Sequence, residues 1–201
     1  MKSKILTLLR ERGDYVSGQE LCERFGVSRT AVWKAIGQLK KEGFSIEAVQ
    51  NRGYRLVQEE EVFGQHELES RMDTRWAGHP VRFYEVLDST NLRAKLDAEN
   101  GAPQGTLVVA DMQTAGRGRR GRSWSSPAGT NVYFTLILKP DFEPARASML
   151  TLVMAMAVAV GIADTCGAEA CIKWPNDIVI GGKKVCGMLT ELSVQQEYIQ
   201  H

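Results

Sequence analysis

A chain of 201 residues and 22.3 kDa has room for one or two domains. Its 43% apolar and 24% charged residues are the mix of a globular protein and exclude a disordered, collagen-like or fibrous one. The net charge of +1 conceals a split: residues 1–57 hold 11 Lys and Arg against 6 Asp and Glu, a net +5, and residues 58–201 hold 14 against 18, a net −4. A basic segment ahead of an acidic remainder points to two domains with different partners, and the acidic run Gln58-Glu59-Glu60-Glu61 reads as the linker. The N-terminus meets charge again at Arg10 and has no small-residue cleavage site, so it does not read as a secretory signal. The longest apolar run, Met149 to Ala163, is interrupted by Thr151 and Gly161 and is expected to be too short for a bilayer. Cys22, Cys166, Cys171 and Cys186 form no CxxC pair, which fits a reduced, cytoplasmic protein.

In the first segment, Ile5, Leu6, Leu8 and Leu9 share a helical face that ends at Gly13. Ser17 with Glu20 three residues on is a capping box for a second helix bearing Leu21, Cys22 and Phe25, stopped by Gly26. Ser28 opens a third helix with Ala31, Val32, Ile36 and Leu39 on its core face, ending near Gly43. Phe44 to Val49 alternates as a strand, Gln50-Asn51-Arg52-Gly53 is a turn, and Tyr54 to Val57 is a second strand. Helix-turn-helix plus hairpin is a winged helix. Its third helix carries Arg29, Thr30, Lys34, Lys40 and Lys41, and its hairpin tip carries Arg52. Such a set suits base edges and phosphates, and DNA binding is assigned to Arg29, Thr30, Lys34 and Arg52. A solvated basic face on a protein-binding module would look similar by charge alone.

Beyond the linker the pattern is α+β. Val81–Val86 reads as a strand, and Asp88-Ser89-Thr90-Asn91 opens a helix from Leu92 to Glu99. Strands are expected at Thr106–Ala110, Val132–Leu138, Ala170–Trp174, Asp177–Ile180 and Lys184–Glu191, with a Gly181-Gly182 turn before the last. Leu150 to Thr165 reads as a buried helix. The domains are therefore a winged helix over 1–57, a linker and lead-in helix over 58–80, and an α+β domain with a mixed sheet over 81–201.

Residues 116–121 match GxGxxG by letter, but no helix follows and four arginines crowd the loop, so a dinucleotide fold is not indicated. Glycines and arginines together suit an anion such as a phosphate or carboxylate. The loop's arginines have no obvious counter-charge other than a ligand, and it is expected to order around one. Gln113 and Trp124 flank it with an amide and a stacking face. Lys173-Trp174-Pro175-Asn176-Asp177 sets a cation at a strand end, although a plain strand-ending turn would use the same residues. Trp33 and Trp76 read as packing or surface residues. His66, His79 and His201 lack metal-ligand spacing, and no side-chain metal site is assigned.

Asp88-Ser89-Thr90-Asn91, Gln113, GRGRRGR-Ser-Trp at 116–124, Lys173-Trp-Pro-Asn-Asp and Gly187 to Glu191, in this order, resemble the biotin–protein ligases. The winged helix in front resembles the bifunctional type that also represses biotin-synthesis genes. The resemblance implies a catalytic domain of the biotin–lipoate ligase fold, similar to class II aminoacyl-tRNA synthetases. It implies activation of biotin by ATP, with Mg²⁺, to biotinyl-5′-AMP, and transfer to a lysine of a biotin carboxyl carrier protein. It further implies operator DNA as a partner, a homodimer once biotinyl-AMP is bound, and no membrane. Carried over, Ser89, Thr90, Asn91 and Gln113 line the biotin pocket, and Arg117, Gly118 and Arg119 cover carboxylate and phosphate. Lys173 and Arg119 are the catalytic cations, and Trp124 shields the adenylate. The family continues with a glycine-rich strand and a small β-barrel, whereas this chain ends at Tyr198-Ile199-Gln200-His201, so a C-terminally truncated member is expected. A DNA-binding biotin sensor without completed catalysis is the alternative. Lipoate ligation is a third reading that the GRGRRGR loop does not favour.

Overall fold

The computed structural model describes residues 1–58, 62–195, 198, 199 and 201; the expected linker residues Glu59, Glu60 and Glu61 lie outside them. Two compact units are formed, Met1–Tyr84 and Glu85–His201.

The first unit begins with α1 (Lys2–Arg12), α2 (Gly18–Phe25) and α3 (Arg29–Lys41). Left-handed Gly13 and Gly26 end the first two helices. Ser17 accepts from the Glu20 amide at 3.0 Å, but the Glu20 carboxylate turns to Arg12 at 2.5 Å, so only half of the capping box is made. Ser28 caps α3 through the Ala31 amide. The buried face of α3 is Val32, Ala35, Ile36 and Leu39; Ala35 rather than Ala31 completes it. These side chains meet Ile5, Leu6, Leu8, Leu9, Val16, Leu21, Phe44 and Ile46 in one core. β1 (Ser45–Val49) and β2 (Gly53–Gln58) form the antiparallel wing hairpin. α4 (Gln65–Arg71) fastens onto α1: Ser3 donates to Glu69 at 2.7 Å, Thr7 to the Ser70 carbonyl at 3.0 Å, and Arg10 pairs with Glu67 at 2.9 Å. Phe63 meets Phe83 edge-on at 5.3 Å between ring centroids. The stretch from Val62 to Tyr84 thus packs as part of the first unit.

The division falls inside β3 (Val81–Leu87). There follow α5 (Thr90–Glu99), β4 (Leu107–Gln113), β5 (Tyr133–Leu136), α6 (Met149–Cys166), β6 (Cys171–Lys173), β7 (Asp177–Ile180), β8 (Lys183–Gly187), β9 (Val194–Gln195) and β10 (Tyr198–Ile199). One sheet has the order β3-β4-β5 and another β6-β7-β8, with antiparallel β4–β5, β6–β7 and β7–β8 pairs. Val108, Val109 and Ala110 are buried to within 1% of full, which is why this strand reads as a continuous apolar run.

Three expectations are corrected. The strand expected to run to Glu191 ends at Gly187, because its partner β7 begins only at Asp177. One more in-register contact follows, with the Asn176 carbonyl accepting from Met188 N at 2.8 Å and its side-chain amide donating to the Met188 carbonyl at 2.9 Å, before the partner strand turns away through Trp174-Pro175-Asn176. The helix expected to be buried has only Ala155 buried, and Met149, Val153, Met156 and Val160 form an uncovered stripe among the described residues. Finally, Pro144–Cys166, with mean hydropathy 1.9, is long and apolar enough by length and composition to cross a membrane, because the helical stretch extends past the 149–163 run at both ends. The interior helix of a globular domain has the same composition.

Candidate functional site

A cavity of about 810 Å³ opens in the second unit, walled by the start of α5, by β5, by the arginine loop and by the coil after β8. Its polar wall is built from three elements. Asp88 Oδ1 accepts from Ser89 N at 2.6 Å, and Ser89 and Thr90 are buried where α5 begins. Gln113, at the end of β4, accepts from Thr90 N at 2.8 Å and from Thr90 Oγ1 at 3.1 Å, and donates to Ser126 Oγ at 3.0 Å. Its amide is therefore a strut between the helix start and the returning arm of the loop. Thr135 of β5 donates to Asn91 Oδ1 at 2.6 Å and stands 3.0 Å from Thr90 Oγ1. This fixes the Asn91 amide plane, while its Nδ2 reaches the Leu189 carbonyl only at 3.5 Å, the outer limit of a hydrogen bond.

The arginine loop is a folded-back hairpin. Gln113 N donates to Ser126 O, Trp124 N to Gly116 O at 2.8 Å and Gly118 N to Arg122 O at 2.7 Å. Gly116 sits where the arms cross: a Cβ there would lie 2.3 Å from the Trp124 carbonyl and 2.6 Å from Ser126 Oγ. The Gly118 amide is used inside the loop, so here the loop offers the cavity cations rather than that N–H. The arginines also have protein partners, contrary to expectation. Arg117 faces Glu191 at 3.7 Å, and Arg119 donates to Asn176 Oδ1 at 3.0 Å. The Trp124 ring lies under Lys184 Nζ at 4.8 Å, and Lys184 is paired with Asp177 at 2.7 Å. Arg117 and Glu191 are 46% and 42% exposed, so their pair is worth under about 1 kcal/mol and yields readily to a buried anion.

Ser89, Thr90, Asn91, Gln113, Arg117, Gly118, Arg119 and Trp124 all border the cavity. Lys173 does not. It is exposed at the end of β6, in register with Asp177, on the sheet face that also carries Gly187. The lysines on the wall are Lys95 of α5 and Lys184, the latter near Asn176 and Cys186, whose thiol burial pushes up from its ordinary pKa. Thr135 and Lys184 carry no motif of their own; Asn176 and Glu191 lie inside motifs, Asn176 reading as a turn residue and Glu191 as the end of a strand.

In the first unit, Arg29, Thr30 and Lys34 are exposed on α3, and Arg29 donates to Gln19 of α2 at 3.0 Å. Trp33 stands among them, 67% exposed. Arg52 is exposed at the wing tip.

Comparison with known proteins decides the family. The model of the biotin/lipoate A/B protein ligase family matches residues 83–201, and a helix-turn-helix (HTH) domain model matches residues 2–55. The chain belongs to the biotin/lipoate A/B protein ligase family. Within this ligase family it is 42% identical over 201 residues to the bifunctional ligase/repressor BirA of Bacillus subtilis, covering all of this chain and 62% of that protein. It is 34% identical over 190 residues to BirA of Escherichia coli, covering 94% of this chain and 57% of that one. It is also similar to the solved biotin protein ligase of Aquifex aeolicus in complex with biotin and ATP, with a TM-score of 0.50 at 34% identity, over 59% of this chain and 48% of that one. The chain thus spans less than two thirds of the length of these relatives. The ligase-family fold with an HTH domain in front is the fold class read from the motifs.

Proposed function

We propose that the protein activates biotin with ATP and transfers it to a lysine of a biotin carboxyl carrier protein, and that its winged helix represses transcription at operator DNA. The observation that carries the reading is the convergence of a polar wall, four cations (Lys95, Arg117, Arg119 and Lys184) and an indole on one cavity of about 810 Å³. That volume suits a bound metabolite of biotinyl-adenylate size. In the proposed first step a biotin carboxylate oxygen bonds to the α-phosphorus of ATP, and the bond to the β-phosphate oxygen breaks, releasing pyrophosphate. In the second, the carrier lysine amine attacks the acyl carbon and AMP leaves.

Ser89, Thr90, Asn91 and Gln113 would hold the ureido head. Arg117, Gly118 and Arg119 would close over carboxylate and phosphate, Arg117 exchanging Glu191 for the ligand. Lys173 and Arg119 would stabilise the charge that builds on the phosphate, and Trp124 would shield the adenylate. Mg²⁺ would arrive with the nucleotide, since no three His, Cys, Asp or Glu side chains gather among the described residues. DNA contact falls to Arg29, Thr30, Lys34 and Arg52. The proposed division is a winged helix over 1–57, a linker and lead-in helix over 58–80 and the ligase domain over 81–201, acting in the cytoplasm as a homodimer once biotinyl-AMP is bound.

The second reading, a DNA-binding biotin sensor without completed catalysis, is favoured by one observation: Lys173 is exposed and off the cavity wall. Biotin-dependent exchange of labelled pyrophosphate into ATP, with biotin binding measured in parallel, separates the two. Exchange supports the ligase; binding without exchange supports the sensor.

A further inference from the structure

A cluster around Tyr15 is used by neither the ligase cavity nor the recognition helix. Tyr15 lies in the short segment between α1 and α2. Its hydroxyl donates to Glu47 Oε2 at 2.6 Å, and Arg55 Nη2 donates to the same oxygen at 2.9 Å. Two guanidinium groups flank its ring, with Cζ of Arg52 at 4.1 Å and Cζ of Arg55 at 4.8 Å from the centroid. The backbone beside it is tied to the wing: Val16 N donates to the Tyr54 carbonyl at 2.8 Å, and Tyr54 N to the Val16 carbonyl at 2.9 Å. This approach needs glycine at 53, where a Cβ would lie 2.1 Å from the Val16 carbonyl oxygen at a φ of +108°. The ring is therefore fixed to the hairpin from both sides.

The two arginines on this ring differ. Arg55 is neutralised by Glu47. Arg52, at the hairpin tip, has no carboxylate within 4.0 Å and no hydrogen bond from its side chain among the described residues; its contact is the ring. Stacking occupies the π face of a guanidinium and leaves its in-plane N–H donors free for phosphate oxygens. We propose that Tyr15 is a positioning residue that presents the Arg52 guanidinium, already ordered, to a DNA backbone phosphate at the wing. A free arginine side chain loses rotamer freedom when it binds, and one held in advance loses less. The inference rests on the DNA-binding reading of the winged helix.

The test uses the full chain and a fluorescein-labelled duplex of mixed sequence, with log Kd followed against log salt. Arg52→Ala is expected to lower the slope by about 0.9, the value of one phosphate contact. Tyr15→Leu is expected to weaken binding roughly three- to fivefold, the scale of an exposed cation–π contact. Tyr15→Phe, which keeps the ring, restores near wild-type binding, and Tyr15→Leu adds no further loss in an Arg52→Ala background. Upfield ring-current shifts of the Arg52 δ protons in the wild type give a readout that does not depend on a variant folding. Wild-type affinity in Tyr15→Leu, an equal loss in the Arg52→Ala background, or unshifted δ protons overturns the role of Tyr15. Absence of salt-dependent binding by the wild type overturns the DNA-binding reading with it.

Discussion

Thr135 holds the polar wall of the cavity with one hydroxyl. Its proton goes to Asn91 Oδ1 at 2.6 Å, and its oxygen stands 3.0 Å from Thr90 Oγ1. Replacing it with valine keeps the shape and leaves the Asn91 carbonyl oxygen without that donor. Thr135→Val is expected to cost about 1–3 kcal/mol of biotin affinity, read by calorimetry; unchanged affinity removes Thr135 from the site. Gly116 acts through space rather than charge. Gly116→Ala puts a carbon 2.3 Å from the Trp124 carbonyl, so the arms of the loop separate and Arg117, Arg119 and Trp124 shift together. Biotin-dependent pyrophosphate exchange is expected to fall by roughly tenfold to a hundredfold, the scale of a misplacement of about 1 Å. A rate equal to wild type contradicts a positioned loop.

At the scale of elements, α4 is held on α1 by polar contacts that respond to pH. Burial pushes the Glu69 carboxyl up, but hydrogen bonds from Ser3, Gln65 and His66 outweigh it and leave its pKa below the ordinary 4.5. A lowered folded-state pKa gives stability that is present above about 4.5 and lost as pH falls through the folded value. Thermal midpoints measured from pH 7 to pH 3 should therefore drop less in Glu69→Gln than in the wild type over the acid limb; parallel curves contradict the linkage. The helices of the first unit were legible in the sequence because their signals are local: Ser17 and Ser28 accept amide protons three residues on, and the apolar faces repeat with the helix. The end of β8 was not legible, because it is set by where the partner strand β7 begins, at Asp177 after the Trp174-Pro175-Asn176 turn, and not by the residues of β8 itself. The exposure of α6 was hidden for a related reason: composition reports what a helix prefers, not what covers it. In the cavity, Ser89, Thr90, Asn91 and Gln113 announce themselves as a cluster of capping residues and an amide beside the loop. Thr135 and Lys184 acquire meaning only from strand register and from the partners that register supplies.

Across the whole molecule the charge split separates two tasks. The cations assigned to DNA belong to the first unit and the cavity to the second. Arg29→Ala with Lys34→Ala is expected to flatten the salt dependence of duplex binding by about 0.9 per lost phosphate contact and to leave biotin binding unchanged. An equal loss of both activities contradicts the separation. The central claim is that the cavity joins biotin to ATP, and it is tested most directly by biotin-dependent ATP–pyrophosphate exchange, run beside lipoate and repeated with Lys173→Ala. Exchange with biotin but not lipoate, reduced about a hundredfold by Lys173→Ala through loss of one electrostatic contact to the transition state, is the expected result. Exchange that is independent of biotin or equal with lipoate would contradict it, and a rate within twofold of wild type in Lys173→Ala would remove Lys173 from the chemistry.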